Sequence, residues 1–301
     1  MWERFMNSRK KIVITGASGF LGSHLLERLT DDERFKVYAL SSKPEELRER
    51  LGGTNVEYVH KDEMDTEMMK DSIAINCAYP RNSTGTAIAD GLKYIQKVFE
   101  TAVESGAAAI INISSQSVYS QQRTEAATEE TPVCLESPYA VGKYAVELML
   151  ESICKESKTH YTSLRMASLI GPGFDQRIVN RFIKKMIAHE PIKVMKQPKQ
   201  MGFLDVEDAV RAIVAVTESS MQDWKTVYNV GNGHGYTVEE IYNLVAAELK
   251  DQIDITQTLF ETGEDLSSSA VSCDCLNKDT GYIPAIDLSE SIRRIIACIR
   301  A

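Results

Sequence analysis

Lys11-Ile12-Val13-Ile14-Thr15, a short apolar and β-branched run, leads straight into Gly16-Ala17-Ser18-Gly19-Phe20-Leu21-Gly22, after which Leu21, Leu25 and Leu29 recur at helical spacing. Strand, glycine loop and helix in that order form the context that a dinucleotide-binding loop requires. Gly16 permits the tight turn. Gly19 lets the backbone approach a pyrophosphate lying on the helix N-terminus, where unpaired N–H groups and the helix dipole favour anions. Gly22 allows the helix to pack closely on the strand. The glycines are spaced three and three, not the commoner two and three. Gly16, Ser18, Gly19, Phe20, Leu21 and Gly22 are therefore expected to bind a cofactor.

The chain then alternates short strands with helices. Lys36–Leu40 reads as the second strand, followed by Ser41-Ser42-Lys43. An NAD-selective site usually carries Asp or Glu at this point, to accept hydrogen bonds from the ribose 2′-hydroxyl. Two hydroxyls and a cation suit a 2′-phosphate better, so NADP(H) is expected over NAD(H); a polar turn with no part in ribose recognition is the alternative. Val56–Val59 is the third strand. Asp62 beyond it can accept from an adenine amino group, or merely cap a turn. Ser72–Ala78 is the fourth, with Asn76 and Ala78 expected to line the cofactor through their backbone. Leu92, Ile95, Phe99, Ala102 and Val103 mark an amphipathic helix. Ala109–Ile113, apolar throughout, suits a strand buried on both faces, and it delivers Ser114 and Ser115 at its carboxyl end. Such alternation means an α/β fold, a doubly wound parallel sheet of Rossmann-like type.

After a further strand at Tyr161–Met166, Gly171-Pro172 breaks the pattern. The basic, proline-containing stretch from Phe174 to Gln200 looks like an excursion from the sheet. The expected division is a dinucleotide-binding domain of residues 1–172 plus 203–232, and a smaller C-terminal α/β substrate domain of residues 173–202 plus 233–301.

Ser137-Pro138-Tyr139-Ala140-Val141-Gly142-Lys143 opens another helix, with Ser137 suited to the N-cap and Pro138 to the first turn. Tyr139 and Lys143 lie one turn apart and point to the same side. A phenol is a poor proton-transfer group near neutrality, but an ammonium beside it stabilises the phenolate. Taken alone, such a pair is common on solvated helices. The glycine loop upstream is what gives it weight.

Composition narrows the remaining classes. With 34 basic and 43 acidic residues, the net charge of -9 and the lack of a basic stripe argue against a nucleic-acid partner. No apolar window reaches membrane-spanning length, and the first residues lack the apolar run of a signal peptide. Six scattered cysteines fit reduced thiols in a cytoplasmic protein better than disulfides or zinc. The five histidines fall singly, so no metal site is expected.

With the glycine loop, Ser115 and Tyr139/Lys143 in that order, the chain resembles the extended short-chain dehydrogenases/reductases. More narrowly, it resembles the NAD-dependent epimerase/dehydratase family, most of whose members act on nucleotide-diphosphate sugars. Ser114-Ser115-x-x-Val118-Tyr119, Leu164-Arg165 through Gly171-Pro172, Phe203 to Asp208, Tyr228–Gly231 and Gly281–Pro284 match family landmarks along nearly the whole chain. The resemblance implies Ser115, Tyr139 and Lys143 as catalytic residues. It implies Ser115, Tyr139, Ser168 and Phe203 as substrate contacts. For the cofactor it implies the glycine-loop residues with Ser41, Ser42, Lys43, Asp62, Ala78, Tyr139 and Lys143. It also implies a homodimer, paired through the helices at 90–105 and 138–156.

Departures matter too. Ser168 stands where many members have asparagine, and Met201 where many have a phosphate-contacting arginine. No arginine precedes Cys273-Asp274, where members commonly hold the same diphosphate. Lys196, Lys199, Arg177 and Arg181 are candidate replacements. Gln116-Ser117 replaces the acidic pair of sugar 4,6-dehydratases, which sets dehydration aside. The implied activity is NAD(P)-dependent hydride transfer at a secondary alcohol or ketone of a sugar-like, nucleotide-linked small-molecule substrate, by a 4-ketoreductase or an epimerase, with the reductase preferred because it releases its cofactor each turnover and so fits the expected NADP(H). The alternatives are an NADPH-dependent reductase of a non-nucleotide carbonyl compound and a non-catalytic NAD(P)-binding sensor.

Overall fold

The structure is a computed structural model, which describes residues 9–80, 84–174, 178–249 and 258–300. The opening apolar run forms β1 (Lys10–Thr15), and the leucine repeat forms α1 (Phe20–Leu29), burying Leu21, Leu25 and Leu29. There follow β2 (Phe35–Ser41), α2 (Pro44–Leu51), β3 (Val56–His60), the single turn α3 (Thr66–Met69), β4 (Ser72–Asn76), α4 (Gly85–Glu104) and β5 (Ala109–Ser115). After a 3-10 turn at Gln116–Val118 come α5 (Pro138–Cys154), β6 (His160–Met166), β7 (Ser168–Ile170), α6 (Ile178–Ile187), β8 (Ile192–Lys196), β9 (Met201–Asp205) and α7 (Val206–Glu218). The chain ends with β10 (Val227–Val230), β11 (Gly235–Tyr236), α8 (Val238–Glu248), β12 (Thr258–Thr262), α9 (Asp274–Thr280) and α10 (Leu288–Arg300).

Seven strands form a Rossmann-like parallel sheet in the order β10-β6-β5-β4-β1-β2-β3. The chain runs outward from β1 to β3, then crosses back so that β4 pairs with the other side of β1. That reversal opens a crevice beyond the carboxyl ends of β1 and β4, the place where open α/β sheets bind ligands.

The chain divides into two compact units. One comprises Met1–Ser114, Ser137–Leu164 and Ile213–Tyr228; the other comprises Ser115–Glu136, Arg165–Ala212 and Asn229–Ala301. In the first, α4 and α5 bury Ile95, Val98, Phe99, Val146 and Leu150 against Val13, Ala74 and Ile110 of the sheet. Through the same interior runs a line of polar side chains. Thr15 Oγ1 donates to Asn76 Oδ1 (2.7 Å), Asn76 Nδ2 to Asn112 Oδ1 (3.0 Å), and Asn112 Nδ2 to Ser163 Oγ (3.1 Å). A buried polar group left unmet costs about 1–3 kcal/mol, so these groups belong together. The Asn76 side chain is thus committed to the sheet.

The second unit has a core of its own, where Phe182, Ile183 and Met186 of α6 meet Val194, Phe203, Ile241, Val245, Ile292 and Ile295. Its small sheets are β11-β9-β7 and the parallel pair β12-β8. Thr237 and Glu240 start α8 with a reciprocal capping box. All six cysteines are free thiols. Among the described residues, no helix is long and apolar enough to cross a membrane.

Candidate active site

The glycine loop does what its spacing predicts. Gly16 adopts φ +67°, a left-handed conformation in which a Cβ would also fall 2.7 Å from the backbone nitrogen of Ala78. Gly19 N–H donates to the Gly16 carbonyl oxygen at 2.9 Å, closing the turn. A Cβ on Gly22 would lie 2.2 Å from that same oxygen, so only glycine lets α1 settle onto the loop. Gly19 caps α1 with no side-chain hydrogen bond, and the first turn carries no acidic residue. The helix thus presents open N–H groups and an uncompensated positive dipole end.

A cavity of about 510 Å³ begins at this helix start, and it lies wholly within the first unit. Gly16, Ser18, Gly19, Ser41, Ser42 and Ala78, all expected near a cofactor, line this cavity. Leu21 is buried in the core and does not line this cavity. Lys43 is exposed and its ammonium meets the Glu46 carboxylate at 2.7 Å. Asp62 is exposed and accepts from Lys61 Nζ at 3.0 Å; Lys61, not Asp62, lines the cavity. Lys61 and His60 hold the Asp62 carboxyl below its ordinary range, Lys61 contributing most.

Sequence reasoning missed Tyr79, Pro80, Asp90, Gly91 and Tyr94 on the same wall. Tyr79 and Pro80 follow directly on Ala78, at a strand's carboxyl end, which is a legible signal. Tyr94 lies within the apolar stripe that also carries Ile95 and Phe99, and such a stripe reads as core.

Tyr139 and Lys143 stand on the first turns of α5. Ser137 Oγ accepts the Ala140 N–H at 3.1 Å, and Pro138 takes the first helical position. Lys143 is only 6% exposed, and its Nζ donates to the Ile113 carbonyl oxygen of β5 at 2.8 Å. The ammonium lies 6.0 Å from the Tyr139 ring centroid and 4.4 Å from that of Tyr79. Burial pulls the Lys143 amine down to about 8, with Cys77 and Glu147 opposing the shift. Burial likewise pushes the Cys77 thiol up to about 12. Ser114 donates to the Glu147 carboxylate.

In the second unit, Ser115 Oγ accepts the Ser117 N–H at 3.2 Å and so caps the 3-10 turn that follows. Tyr119 anchors that turn from below. Its hydroxyl donates to Asn229 Oδ1 at 2.8 Å and accepts from Arg165 at 2.9 Å, and the Arg165 guanidinium stacks 5.0 Å from the ring centroid. Ser168 opens β7 and is half-buried, whereas the Phe203 side chain packs into the core. Two of the candidate phosphate cations are already paired, Lys196 with Glu239 (2.6 Å) and Lys199 with Asp265 (2.8 Å). Arg181 is exposed, and Arg177 lies outside the described residues.

Residues 12–231 match the model of the NAD dependent epimerase/dehydratase family. The chain belongs to that family. Among curated relatives of this family member, UDP-glucuronic acid decarboxylase 6 of Arabidopsis thaliana is 23% identical over 96% of this chain and 89% of its own length. A putative UDP-glucose 4-epimerase of Methanocaldococcus jannaschii is also 23% identical, over 95% and 97%. Among solved structures, the UDP-glucuronic acid 4-epimerase of Bacillus cereus in complex with NAD superimposes with a TM-score of 0.80 at 20% identity, covering 96% of each chain.

These structures overturn one expectation. Several of the solved neighbours are bound to NAD, which points to NAD rather than NADP. The physical reason is visible in this family member. The cation of Ser41-Ser42-Lys43 is neutralised by Glu46, and Ser41 is buried with its Oγ accepting the Lys43 N–H at 3.0 Å. What looked like a phosphate-binding trio is a helix-start turn.

Proposed function

We propose that this enzyme uses NAD to epimerise a secondary alcohol centre of a nucleotide-linked sugar by reversible hydride transfer. The single observation that carries the proposal is the Tyr139–Lys143 pair, a phenol and a solvent-stripped ammonium on one helical turn, in the unit that also holds the glycine-loop cavity. The names of the relatives, sugar-nucleotide epimerases and decarboxylases, support the substrate class.

NAD fits the residues present. The tight Gly16 turn, the uncapped start of α1 and a wall with Ser18, Ser41 and Ser42 suit a pyrophosphate and a ribose. Once bound, NAD supplies the hydride acceptor and donor. Tyr139 takes the proton from the sugar hydroxyl and returns it. Lys143 stabilises the phenolate and holds the nicotinamide ribose. Ser115, by its position in the serine motif, hydrogen-bonds the reacting oxygen. An epimerase keeps its cofactor through turnover, so the loss of the NADP expectation removes the main support for a reductase that releases it.

A second reading has one observation in its favour. With Met201 in place of an arginine, and with Lys196 and Lys199 already paired, the usual charge-assisted diphosphate contacts are thin. That favours a carbonyl substrate without a nucleotide. A panel of UDP-glucose, UDP-glucuronic acid, UDP-N-acetylglucosamine and simple hydroxyketones, followed by NMR with NAD present, separates the two. In the active pairing, Tyr139→Phe should lower kcat by about 10²–10⁴-fold and leave NAD affinity within about threefold. Turnover that survives the substitution overturns the proposal.

We also propose a homodimer paired through α4 and α5. Val141 and Leu148 on α5 are 50% and 48% exposed, which suits a covered surface.

A further inference from the structure

Tyr79 has no part in the chemistry just described, yet two of its contacts are with residues that do. Its ring meets that of Tyr139 edge to face, with centroids 5.4 Å apart and planes at 86°. The Lys143 ammonium sits 4.4 Å from the Tyr79 ring centroid, closer than to the ring of Tyr139. The hydroxyl is buried and has no hydrogen-bond partner among the described residues. It rests against Gly142, where a Cβ would lie 2.0 Å from the oxygen and 3.2 Å from Cζ.

We propose that Tyr79 is a positioning residue for the Tyr139–Lys143 pair: its ring face seats the ammonium, its edge seats the phenol, and the gap at Gly142 keys it in place. The inference rests on the proposed roles of Tyr139 and Lys143. A ring face attracts a cation most strongly where water is excluded, and Lys143 is excluded from it. The other groups facing the ammonium are the Ile113 carbonyl from β5, Cys77 from the end of β4 and Glu147 one turn along α5. The hydroxyl acts as a steric stop, because it makes no polar contact and fills the space where any other residue at 142 would carry a side chain.

Two measurements test this on the full-length protein. Competitive acetylation of amines from pH 6 to 11, read by mass spectrometry, gives the Lys143 midpoint without any substrate. Tyr79→Leu should lower that midpoint by about one pH unit, because the ring no longer favours the charged amine. Tyr79→Phe keeps the ring and should leave it in place. A midpoint that stays or rises in Tyr79→Leu overturns the proposal.

In turnover, Tyr79→Leu should cut kcat by about tenfold or more, with KM within about threefold, and the loss should exceed that of Tyr79→Phe, which keeps the ring. Gly142→Ala provides a second route should Tyr79→Leu fail to fold. Gly142→Ala should lower kcat by a similar factor, and adding Tyr79→Phe in the same chain should restore most of it, since the clash at 2.0 Å goes with the oxygen. An unaffected Gly142→Ala, or one that Tyr79→Phe does not rescue, refutes the keying. Full turnover in Tyr139→Phe would remove the catalytic roles, yet the Lys143 midpoint would still decide whether Tyr79 holds the ammonium.

Discussion

Replacing Lys143 by methionine should abolish turnover and at the same time make the protein more stable at neutral pH. Lys143 is held at about 8 against an ordinary 10.5, mainly because burial strips water from the ammonium. At roughly 1.4 kcal/mol per pH unit, keeping it charged at pH 7 costs about 3 kcal/mol. The hydrogen bond to Ile113 offsets about 1–2 kcal/mol of any gain when the amine is removed. A net stabilisation of about 1–2 kcal/mol remains for Lys143→Met at pH 7.

The pH dependence has a definite sign. The folded-state value is lowered, so between about 8 and 10.5 the unfolded chain binds more protons than the native one. The parent therefore gains stability from this group as pH rises through that window, and the advantage of the methionine variant shrinks by pH 10. Urea unfolding of both proteins at pH 7 and pH 10 measures the difference. A variant less stable than the parent at pH 7, or an advantage that does not diminish at pH 10, would refute the claim that desolvation dominates at Lys143.

The close contact between α1 and its loop sets a second expectation. Gly22→Ala brings a Cβ to 2.2 Å from the Gly16 oxygen, so it should cost about 1–3 kcal/mol in unfolding free energy. NAD affinity, read by fluorescence titration, should fall by tenfold or more; unchanged affinity would mean that the loop tolerates displacement. For the proposed dimer, Leu148→Glu on the exposed face of α5 should yield monomers by light scattering at micromolar concentration, whereas a parent that is itself monomeric there removes the proposal.

The periodic parts of the chain were the legible ones. β1, the glycine turn and α1 were readable because each glycine answers to a backbone requirement, and the leucines of α1 bury as their spacing implies. Tyr139 and Lys143 were readable because one helical turn fixes their relation. Ser41-Ser42-Lys43 misled because the turn runs straight into a helix, where Glu46, three residues on, pairs with the lysine. Tyr94 was hidden because residues lining a cavity and residues filling a core share one apolar stripe. The side-chain row through Asn76 was hidden because its partners, Thr15 and Asn112, come from strands far apart in sequence.

Those amides have a consequence for how the sheet assembles. Apolar strands rich in valine and isoleucine would pair almost equally well one or two places out of step, because greasy contacts tolerate sliding. A row of mutually matched amides and hydroxyls does not slide, since a single step would strand each member among hydrocarbon neighbours. Thr15, Asn76, Asn112 and Ser163 thus act as alignment pins across four strands. They bring the ends of β1 and β4 level with each other, and the mouth of the crevice takes its shape from that alignment.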